Sequence, residues 1–304
     1  MCSSNDEVFK DSENDKFYSE DWSNAMGCIQ AASLILEKCS YYKFKSLEQH
    51  APKNSNLKTL FYNIDGNKSN FDTFLSELNA QKTIFSIIAL AETNTKVENS
   101  DLYPISGYSH FYGEKLPGKS KGSGVCIYVH DSLNATVNQQ LSTTSQNLET
   151  LYVTVNQGDT KVNVGVLYRS PNGDSTKFNE EYSLIMSKFP KNIKTITLGD
   201  FNYDLLEGQN NSADAKNFEN TMLSFGQLPL ISIPTHSVNI GQSSCIDNIF
   251  TDDIESVTFT GVVDDQASHH KPIIAFFNLN LNSENTLKPK QVQNYDFSKN
   301  NIEI

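Results

Sequence analysis

The chain has 304 residues, with 36 Asp and Glu against 24 Lys and Arg and a net charge of -12. This length accommodates one large α/β domain of about 250 residues. The charge argues against a strong non-specific electrostatic grip on nucleic acid, because such binders usually carry a basic excess. The five cysteines form no C-x-x-C pair, which favours a reducing compartment over a zinc site or a disulfide scaffold.

The first 56 residues are predicted to lie outside the main domain. Residues 1–21 are rich in Ser, Asn, Asp, Glu and Lys, a composition typical of a disordered tail, with no basic and apolar secretory signal. We therefore expect a nuclear or cytoplasmic protein that is not secreted. Within the segment 22–56, Trp22 to Cys39 carries apolar residues at helical spacing with polar interruptions, which predicts a helix rather than a membrane span. We expect this helix to pack on its own domain; a partner is the alternative.

The main body, residues 57–280, alternates strand and helix patterns in one domain, before a polar tail over 281–304. Strands are predicted at Lys58–Ile64, Thr83–Ala91, Gly124–His130, Thr150–Asn156, Lys161–Tyr168, Ile193–Leu198, Cys245–Phe250, Val257–Val263 and Pro272–Phe277. Helices are predicted at Asn70–Leu78, after a Ser175 cap as far as Phe189, and at Ala213–Phe225. Mixed hairpins and βα units predict an α/β fold with two packed sheets and helices outside.

Polar and acidic side chains recur where these strands end, which is where an α/β domain gathers its ligand-binding groups. In chain order they are Asn63, Asp65, Glu92, Tyr168, Arg169, Asp200, Asn202, Asp247 and His270. Taken singly, each has an ordinary explanation: Asn-x-Asp-Gly is typical of a turn, and a single His is more often a core residue than a catalyst. The order of the whole series is what distinguishes it.

That order resembles the endonuclease/exonuclease/phosphatase superfamily over residues 57–277. The motifs that carry the resemblance are Asn63-Ile64-Asp65-Gly66, Leu90-Ala91-Glu92-Thr93, Tyr168-Arg169-Ser170-Pro171, Gly199-Asp200-Phe201-Asn202, Ile246-Asp247-Asn248-Ile249 and Ser268-His269-His270-Lys271-Pro272. It implies a four-layered α/β sandwich, deoxyribonuclease I-like, with two packed mixed β-sheets flanked by helices. It also implies a divalent-metal-dependent phosphodiesterase.

Within the superfamily the chain looks most like the endonuclease domain of non-LTR (LINE, jockey-like) retrotransposons. This similarity rests on Tyr168-Arg169-Ser170-Pro171, Pro234-Thr235-His236 and the block Ser244–Ile249. It implies DNA as the substrate and a reverse transcriptase encoded elsewhere in the element as a partner, with no membrane partner. The stretch Tyr295-Asp296-Phe297-Ser298 looks like the connector that leads to the polymerase in full elements.

The resemblance assigns a role to each residue of the series. The catalytic set is Asn63, Tyr168, Asp200, Asn202, Asp247 and His270, and the predicted substrate contacts are Arg169, Thr235 and Ser244. Asp200 and Asn202 orient the attacking water and hold a phosphate oxygen. Asp247 holds the His270 imidazole in its useful tautomer.

The metal-binding residues implied by the resemblance are Glu92, Asp65 and His269, with Mg²⁺ as the cofactor because it takes oxygen ligands. His269 is a departure, since the superfamily has Asp at this position. One charge pair at ~4 Å and an effective dielectric constant of ~20 is worth ~4 kcal/mol as an upper bound, so the lost charge weakens metal or phosphate handling. Imidazole also favours softer ions. We therefore predict that Mn²⁺ supports activity better than Mg²⁺.

Two other functions remain open at this point. A phosphatase of the same fold, acting on an inositol phosphate or a lipid head group, would need a basic pocket, and no tight Lys/Arg cluster adjoins the motifs. A catalytically impaired remnant, acting at most as a binding module, is favoured by His269 and by the acidic charge. If the chain binds DNA, Gly113–Lys121 and Thr235–Ser243 are the predicted contact loops.

Overall fold

The computed structural model describes residues 30–66, 68–95, 103–116, 118–119, 121–157, 160–206, 212–239, 242–264 and 268–279. The tails predicted over 1–21 and 281–304, and the start of the helix predicted from Trp22, lie outside these ranges. Residues 30–38 are helical, and Ala32 and Ile35 pack against the apolar core, so the described part of this helix contacts the domain. Among the described residues no helix is long and apolar enough to cross a membrane.

The described residues form two seven-stranded sheets and one small hairpin. The strands are β1 Ser40–Tyr42, β2 Leu57–Asn63, β3 Ile87–Ala91, β4 Tyr108–Tyr112, β5 Val125–His130, β6 Asn134–Val137, β7 Thr143–Thr144, β8 Leu148–Gln157, β9 Thr160–Arg169, β10 Lys194–Asp200, β11 Leu228–Pro229, β12 His236–Asn239, β13 Gln242–Ser244, β14 Asp247–Thr251, β15 Val257–Val263 and β16 Ile273–Phe277. The helices are α1 Leu47–His50, α2 Lys68–Ala80, α3 Ser175–Met186 and α4 Ala213–Ser224, with 3₁₀ turns at Phe44–Ser46 and Ile254–Ser256.

The two sheets pack face to face, with helices on the outside. The first sheet has the order β1-β15-β16-β2-β3-β5-β4, and the second β11-β14-β10-β9-β8-β6 with β7 on β8. Successive side chains of a strand point to opposite faces. Phe61 of β2 therefore enters the core between the sheets, while Leu60 and Tyr62 join the cluster that contains α2. In the second sheet Val166 faces inward and Leu167 packs with α3 and α4, which confirms the predicted four-layered α/β sandwich.

The strand registers bring the predicted polar residues to one edge. Strand β2 runs parallel to β3, and β10 runs parallel to β9 with Asp200 opposite Tyr168. Parallel strands end at the same edge of a sheet, so the residues that close these strands face one region. Strand β14 is antiparallel to β10 and begins with Asp247 opposite Asp200.

Local boundaries differ from the sequence predictions in a few places. Strand β3 begins at Ile87 rather than Thr83, because the apolar run before it is buried without pairing as a strand. The predicted Ser175 cap of α3 is wrong: the Asp174 carboxylate accepts the Lys177 amide at 3.0 Å, and Ser175 is the first helical residue. The pattern also missed the short or partly polar strands β1, β4, β6, β7, β11, β12 and β13.

Candidate active site

Asn63 joins two of the predicted acids at the end of β2. Its amide nitrogen Nδ2 donates to Glu92 Oε1 at 2.9 Å and to Asp200 Oδ2 at 2.8 Å, while its Oδ1 accepts the Asp65 backbone amide at 3.0 Å. Asn63 is fully buried. An amide nitrogen has two protons, so a single side chain satisfies both carboxylates and fixes their separation.

His270 and Asp247 form the second part of the cluster. The His270 Nδ1 lies 2.9 and 3.0 Å from the two Asp247 carboxylate oxygens, and its Nε2 lies 4.0 Å from Asp200 Oδ2. Thr235 Oγ1 donates to Asp247 Oδ2 at 2.7 Å and accepts the Asp247 amide at 3.1 Å. Asp247 therefore orients the imidazole so that Nε2 faces Asp200 and the cleft.

The electrostatics of this cluster are dominated by buried carboxylates. Burial, followed by the charge of Asp247, raises the pKa of Asp200 from 3.8 to about 7, and Glu92 contributes in the same direction. Burial alone would lower the pKa of His270, but the charge and hydrogen bond of Asp247 outweigh it and raise the pKa to about 9. At neutral pH His270 is thus a cation, and Asp200 is close to its titration point.

Tyr168 and Gly122 both lie next to Glu92. Burial, followed by the charges of Glu92 and Asp200, raises the pKa of Tyr168 well above 10.0, so its hydroxyl stays protonated and donates to Glu92. A Cβ placed on Gly122 would lie 3.4 Å from Glu92 Oε2 and 3.6 Å from the Tyr168 hydroxyl. These are ordinary van der Waals distances, so it is the positive φ of Gly122, 61°, rather than lack of space that favours glycine beside the two groups.

Backbone strain is concentrated at the site. Among the described residues, the non-glycine residues with positive φ are Asp65, Glu92, Asn94 and Asn202, at 50° to 52°. The left-handed region costs such residues of order 1 kcal/mol each, and it persists only where neighbouring contacts enforce it. All four lie in the turns that follow β2, β3 and β10, and Asp65 and Asn94 line the same cleft.

The donor set suits a hard divalent cation. Ligand atoms of Asp200, Asp247 and His270 lie within 4.8 Å of one another, and Asn63 connects this group to Glu92. Burial first, and then the charges of Asp247 and Glu92, raise the pKa of Asp200, and a cation with oxygen ligands would offset the repulsion between these carboxylates. His270 is protonated and held by Asp247, so its imidazole is not counted among the donors.

The remaining predicted residues lie at different depths. Asp65 is exposed and lines a cleft of about 440 Å³ together with Gly66, Lys68, Asn94, Lys121 and Gly122. His269 is exposed, and its carbonyl accepts the Ser237 amide at 3.1 Å. Ser244 Oγ lies 3.4 Å from His236 Nδ1, and Thr235 contacts Asp247 rather than the surface.

Arg169 does not join the cleft, despite its predicted role as a substrate contact. Its guanidinium is buried behind the site, 4.1 Å from the Tyr203 ring, and it hydrogen-bonds Asn202 and Ser175. Only 5% of Arg169 is exposed. Two further hydrogen bonds hold Asn202 in place. Its Nδ2 donates to the Arg169 carbonyl at 2.7 Å, and its backbone amide donates to Asp200 Oδ1 at 3.0 Å.

Sequence reasoning gave no role to three residues that support the site, although two of them, Ser268 and His236, stand in the quoted motifs. Ser268 Oγ donates to the Asn63 carbonyl at 2.9 Å and accepts the His270 amide at 3.1 Å. The His236 ring packs on His270 with centroids 4.6 Å apart, and burial followed by the His270 charge lowers its pKa. Glu149 accepts the Gly124 amide at 2.6 Å and also bonds Ser123. Glu149 lies one residue before the predicted strand Thr150–Asn156, and the observed strand β8 begins earlier, at Leu148, and includes it.

Comparisons with solved structures agree with this fold. The endonuclease domain of TRAS1, a telomere-specific non-LTR retrotransposon, matches with a TM-score of 0.60 at 18% identity, covering 74% of this chain and 99% of that one. AP endonuclease LMAP from Leishmania major gives 0.61 at 13% identity, covering 83% and 98%. D. rerio TDP2 complexed with single-strand DNA product gives 0.52 at 15% identity, covering 73% and 99%. At such identities these similarities establish the fold alone.

The sequence itself identifies the family. No curated protein matches the chain significantly. The profile of the Endonuclease/Exonuclease/phosphatase family, however, matches residues 60–272, which is more than half of the chain and contains every motif of the cleft from Asn63 to His270. The chain therefore belongs to the endonuclease/exonuclease/phosphatase family, as its motif order predicted.

Proposed function

We propose that this protein is a divalent-metal-dependent endonuclease that nicks one strand of DNA and derives from a non-LTR retrotransposon. The observation that carries the proposal is the double hydrogen bond of Asn63 to Glu92 and Asp200, with His270 Nε2 4.0 Å from Asp200. These residues are separated by as many as 207 positions in the chain (270 minus 63). Their convergence matches the demands of phosphodiester hydrolysis, which needs a base, a cation and hydrogen-bond donors around one phosphorus.

Asp200 is the residue suited to orient the attacking water and take its proton. The raised pKa of Asp200, caused first by burial and then by the charge of Asp247, makes this carboxylate a stronger base than an exposed aspartate. Its two oxygens are held by Asn63 and by the Asn202 amide, so its orientation is fixed before substrate arrives. This arrangement supplies the pre-organised positioning on which much of the rate depends.

His270 and Tyr168 are suited to donate protons to oxygens. The His270 imidazolium is held by Asp247 through Nδ1, which leaves Nε2–H for a non-bridging phosphate oxygen. The Tyr168 hydroxyl, kept protonated by its raised pKa, donates to the phosphate or to the leaving oxygen. Protonated donors of this kind stabilise the negative charge that develops on the phosphate oxygens.

Glu92 and Asp65 are the residues that would hold the metal ion. Glu92 is half-buried beside Tyr168, and Asp65 is exposed in the adjoining cleft, so both are open to solvent ions. When bound, Mg²⁺ or Mn²⁺ supplies Lewis-acid stabilisation of phosphate charge. His269 is exposed, and its imidazole stands where the superfamily pattern has a carboxylate.

The DNA would approach over the side of the cleft that carries lysines. Lys119 Nζ lies 5.6 Å from the Tyr168 ring centroid and 3.2 Å from Ser170 Oγ, while Lys68 and Lys121 line the cleft next to Asp65. In a chain with a net charge of -12, such a local basic rim is the part of the surface that attracts a phosphate backbone. The hairpin β12–β13, which contacts His270 through His236, is the second proposed contact.

The retrotransposon origin rests on sequence motifs together with the fold of the TRAS1 endonuclease domain. Under this proposal a reverse transcriptase encoded elsewhere in the element is a partner, and the site of action is the nucleus or cytoplasm. Co-purification of the tagged polymerase with the chain, compared with Glu92→Ala as a fold-matched bait, tests the partnership separately from catalysis.

Nicking of a supercoiled plasmid tests the main proposal. We expect relaxed circles in Mg²⁺ or Mn²⁺, none in EDTA, and a loss of at least a hundredfold in Glu92→Ala and Asp200→Ala, in keeping with removal of a metal ligand or a general base. The matched control is Glu255→Ala, an exposed acid next to the start of β15, at the opposite end from His270.

Other outcomes would select the competing functions. Phosphate release from an inositol polyphosphate without nicking would assign a phosphatase of the same fold. A folded protein that neither nicks DNA nor releases phosphate in either metal would be a remnant of the domain.

A further inference from the structure

Arg169 is a buried cation without a buried anion. Its guanidinium carbon lies 4.1 Å from the Tyr203 ring centroid and 5.5 Å from that of Phe178. Within the described part of the chain no carboxylate pairs with it, and its Nε has no hydrogen-bond partner. Burying an unpaired charge is expensive, so a side chain kept in this position is expected to perform some task there.

The guanidinium takes part in a reciprocal contact between the ends of two neighbouring strands. Arg169 Nη1 donates to the Asn202 carbonyl at 3.3 Å, and Asn202 Nδ2 donates back to the Arg169 carbonyl at 2.7 Å. Arg169 Nη2 also donates to Ser175 Oγ at 3.0 Å, at the start of α3. The end of β9, the turn after β10 and helix α3 are therefore held at fixed positions relative to one another.

We infer that Arg169 is a positioning residue that holds the Asp200–Asn202 turn in its active geometry and does not contact DNA. Asn202 has a φ of 51°, a left-handed conformation that its neighbours must enforce. The Asn202 amide in turn donates to Asp200 Oδ1 at 3.0 Å, so displacement of Asn202 moves the proposed base. The catalytic consequence rests on the proposed nuclease function, whereas the structural consequence does not.

The chemistry of this position favours arginine over lysine. The planar fork donates in two directions to Asn202 and Ser175 while its face stacks on Tyr203. A lysine ammonium carries the same charge but cannot stack and donate in this fixed geometry. Arg169→Lys therefore separates the role of geometry from that of charge.

Nicking kinetics and DNA affinity of Arg169→Met and Arg169→Lys provide the first test. A displacement of about 1 Å at a catalytic group costs roughly a hundredfold in rate, so we expect kcat to fall about 10- to 100-fold in both variants with KM within twofold of wild type. The slope of DNA affinity against salt concentration should not change. A phosphate contact would instead raise KM and reduce that slope by about one, and this result would overturn the inference.

A double-mutant cycle with Asn202→Ala provides the second test. Each side chain holds the turn through the backbone carbonyl of the other residue, so each substitution removes one of the two contacts. If both act by holding the same turn, Arg169→Met should cause a smaller loss in the Asn202→Ala background than in wild type, because residues of one network are not additive. Losses that multiply would show independent action and overturn the inference. Lys177→Met, which removes an exposed charge from the first turn of α3, is the control for charge alone.

Hydrogen exchange separates this inference from the nuclease proposal, because it needs no activity. We expect amides of residues 200–206 to exchange about tenfold faster in Arg169→Met than in wild type, because loss of the Arg169 contacts frees the Asp200–Asn202 turn locally. Residues 57–63 of β2 should be unchanged. If Arg169→Met does not fold, Arg169→Lys gives the same comparison. Unchanged exchange in a folded variant overturns the positioning role, whereas absent nicking in wild type overturns only the nuclease proposal.

Discussion

The two sides of the cleft are built differently. On one side Asp200, Asp247 and His270 are buried and hold one another through hydrogen bonds from Asn63, Thr235 and Asn202. On the other side Asp65 is exposed, Glu92 is half-buried, and both have strained left-handed backbones. The polar groups of the buried side are therefore satisfied within the folded protein, while Asp65 and Glu92 on the open side remain accessible to ligands. We expect substitutions on the buried side to change both rate and stability, and those on the open side to change mainly metal and DNA binding.

The largest expected effect is that of Asp247→Asn on the buried side. A neutral amide no longer supports the imidazolium, so the pKa of His270 should fall below its value of about 9, because burial then opposes only the charges of Asp200 and Glu92. Nicking at neutral pH should fall about a thousandfold, the scale expected when a catalytic histidine loses its carboxylate partner. NMR titration of the His270 ring and single-turnover nicking measure the two effects.

The matched control is Asp214→Asn, which removes the same charge at an exposed position in α4. It should leave both the rate and the His270 titration unchanged. A His270 pKa that stays near 9 in Asp247→Asn would show that Asp247 is not the group that stabilises the protonated imidazole.

His269→Asp tests the departure from the superfamily pattern. His269 is exposed, so solvent screens most of the charge effect, and we expect about a tenfold rise in the Mg²⁺-supported rate with a smaller rise in Mn²⁺. The measurement is the ratio of nicking rates in the two metals for wild type and variant. An identical ratio in both proteins would rule out His269 as the cause of any metal preference.

Asp200→Asn should stabilise the protein at high pH, although it removes the proposed general base. Asp200 has a pKa of about 7 when folded against 3.8 as its ordinary value, so the unfolded chain releases this proton first. The resulting penalty on the folded state is absent below about pH 4, grows as the pH rises, and is complete above pH 7. Asparagine removes it, with an expected gain of about 1–2 kcal/mol in the free energy of unfolding at pH 8.

Urea unfolding in EDTA at pH 5 and pH 8.5 checks this prediction. The difference in the free energy of unfolding between Asp200→Asn and wild type should widen as the pH rises. Added Mg²⁺ should narrow this difference, because it stabilises the folded wild type. A gap that shrinks as pH rises would mean that the Asp200 charge stabilises the folded state, contrary to the like-charge repulsion inferred here.

Sequence alone predicted which strand ends meet at the candidate site better than it predicted how the side chains behind them pack. Asn63, Asp200, Asp247 and His270 lie in ordered motifs at strand ends, and strand register then fixes where they meet. Arg169 occupied an equally prominent motif, but only packing shows that its guanidinium turns back onto Tyr203. His236 was quoted in a motif but given no role, because its contact with His270 depends on the two-stranded hairpin β12–β13, which shows no alternating apolar pattern in the sequence.

The smallest expected effect belongs to Lys121→Met, on the open side. Lys121 is exposed and lines the cleft beside Asp65 and Gly122, with no ion pair to a described residue. Loss of one phosphate contact should reduce the salt-dependence slope of DNA affinity by about one and raise KM a few-fold at unchanged kcat. Lys161→Met, an exposed lysine at the opposite end of β9, is the matched control. Both variants lose one positive charge, so equal salt-dependence slopes in Lys121→Met and Lys161→Met would mean that DNA affinity depends on net charge alone. The open side of the site would then have no specific role in DNA binding.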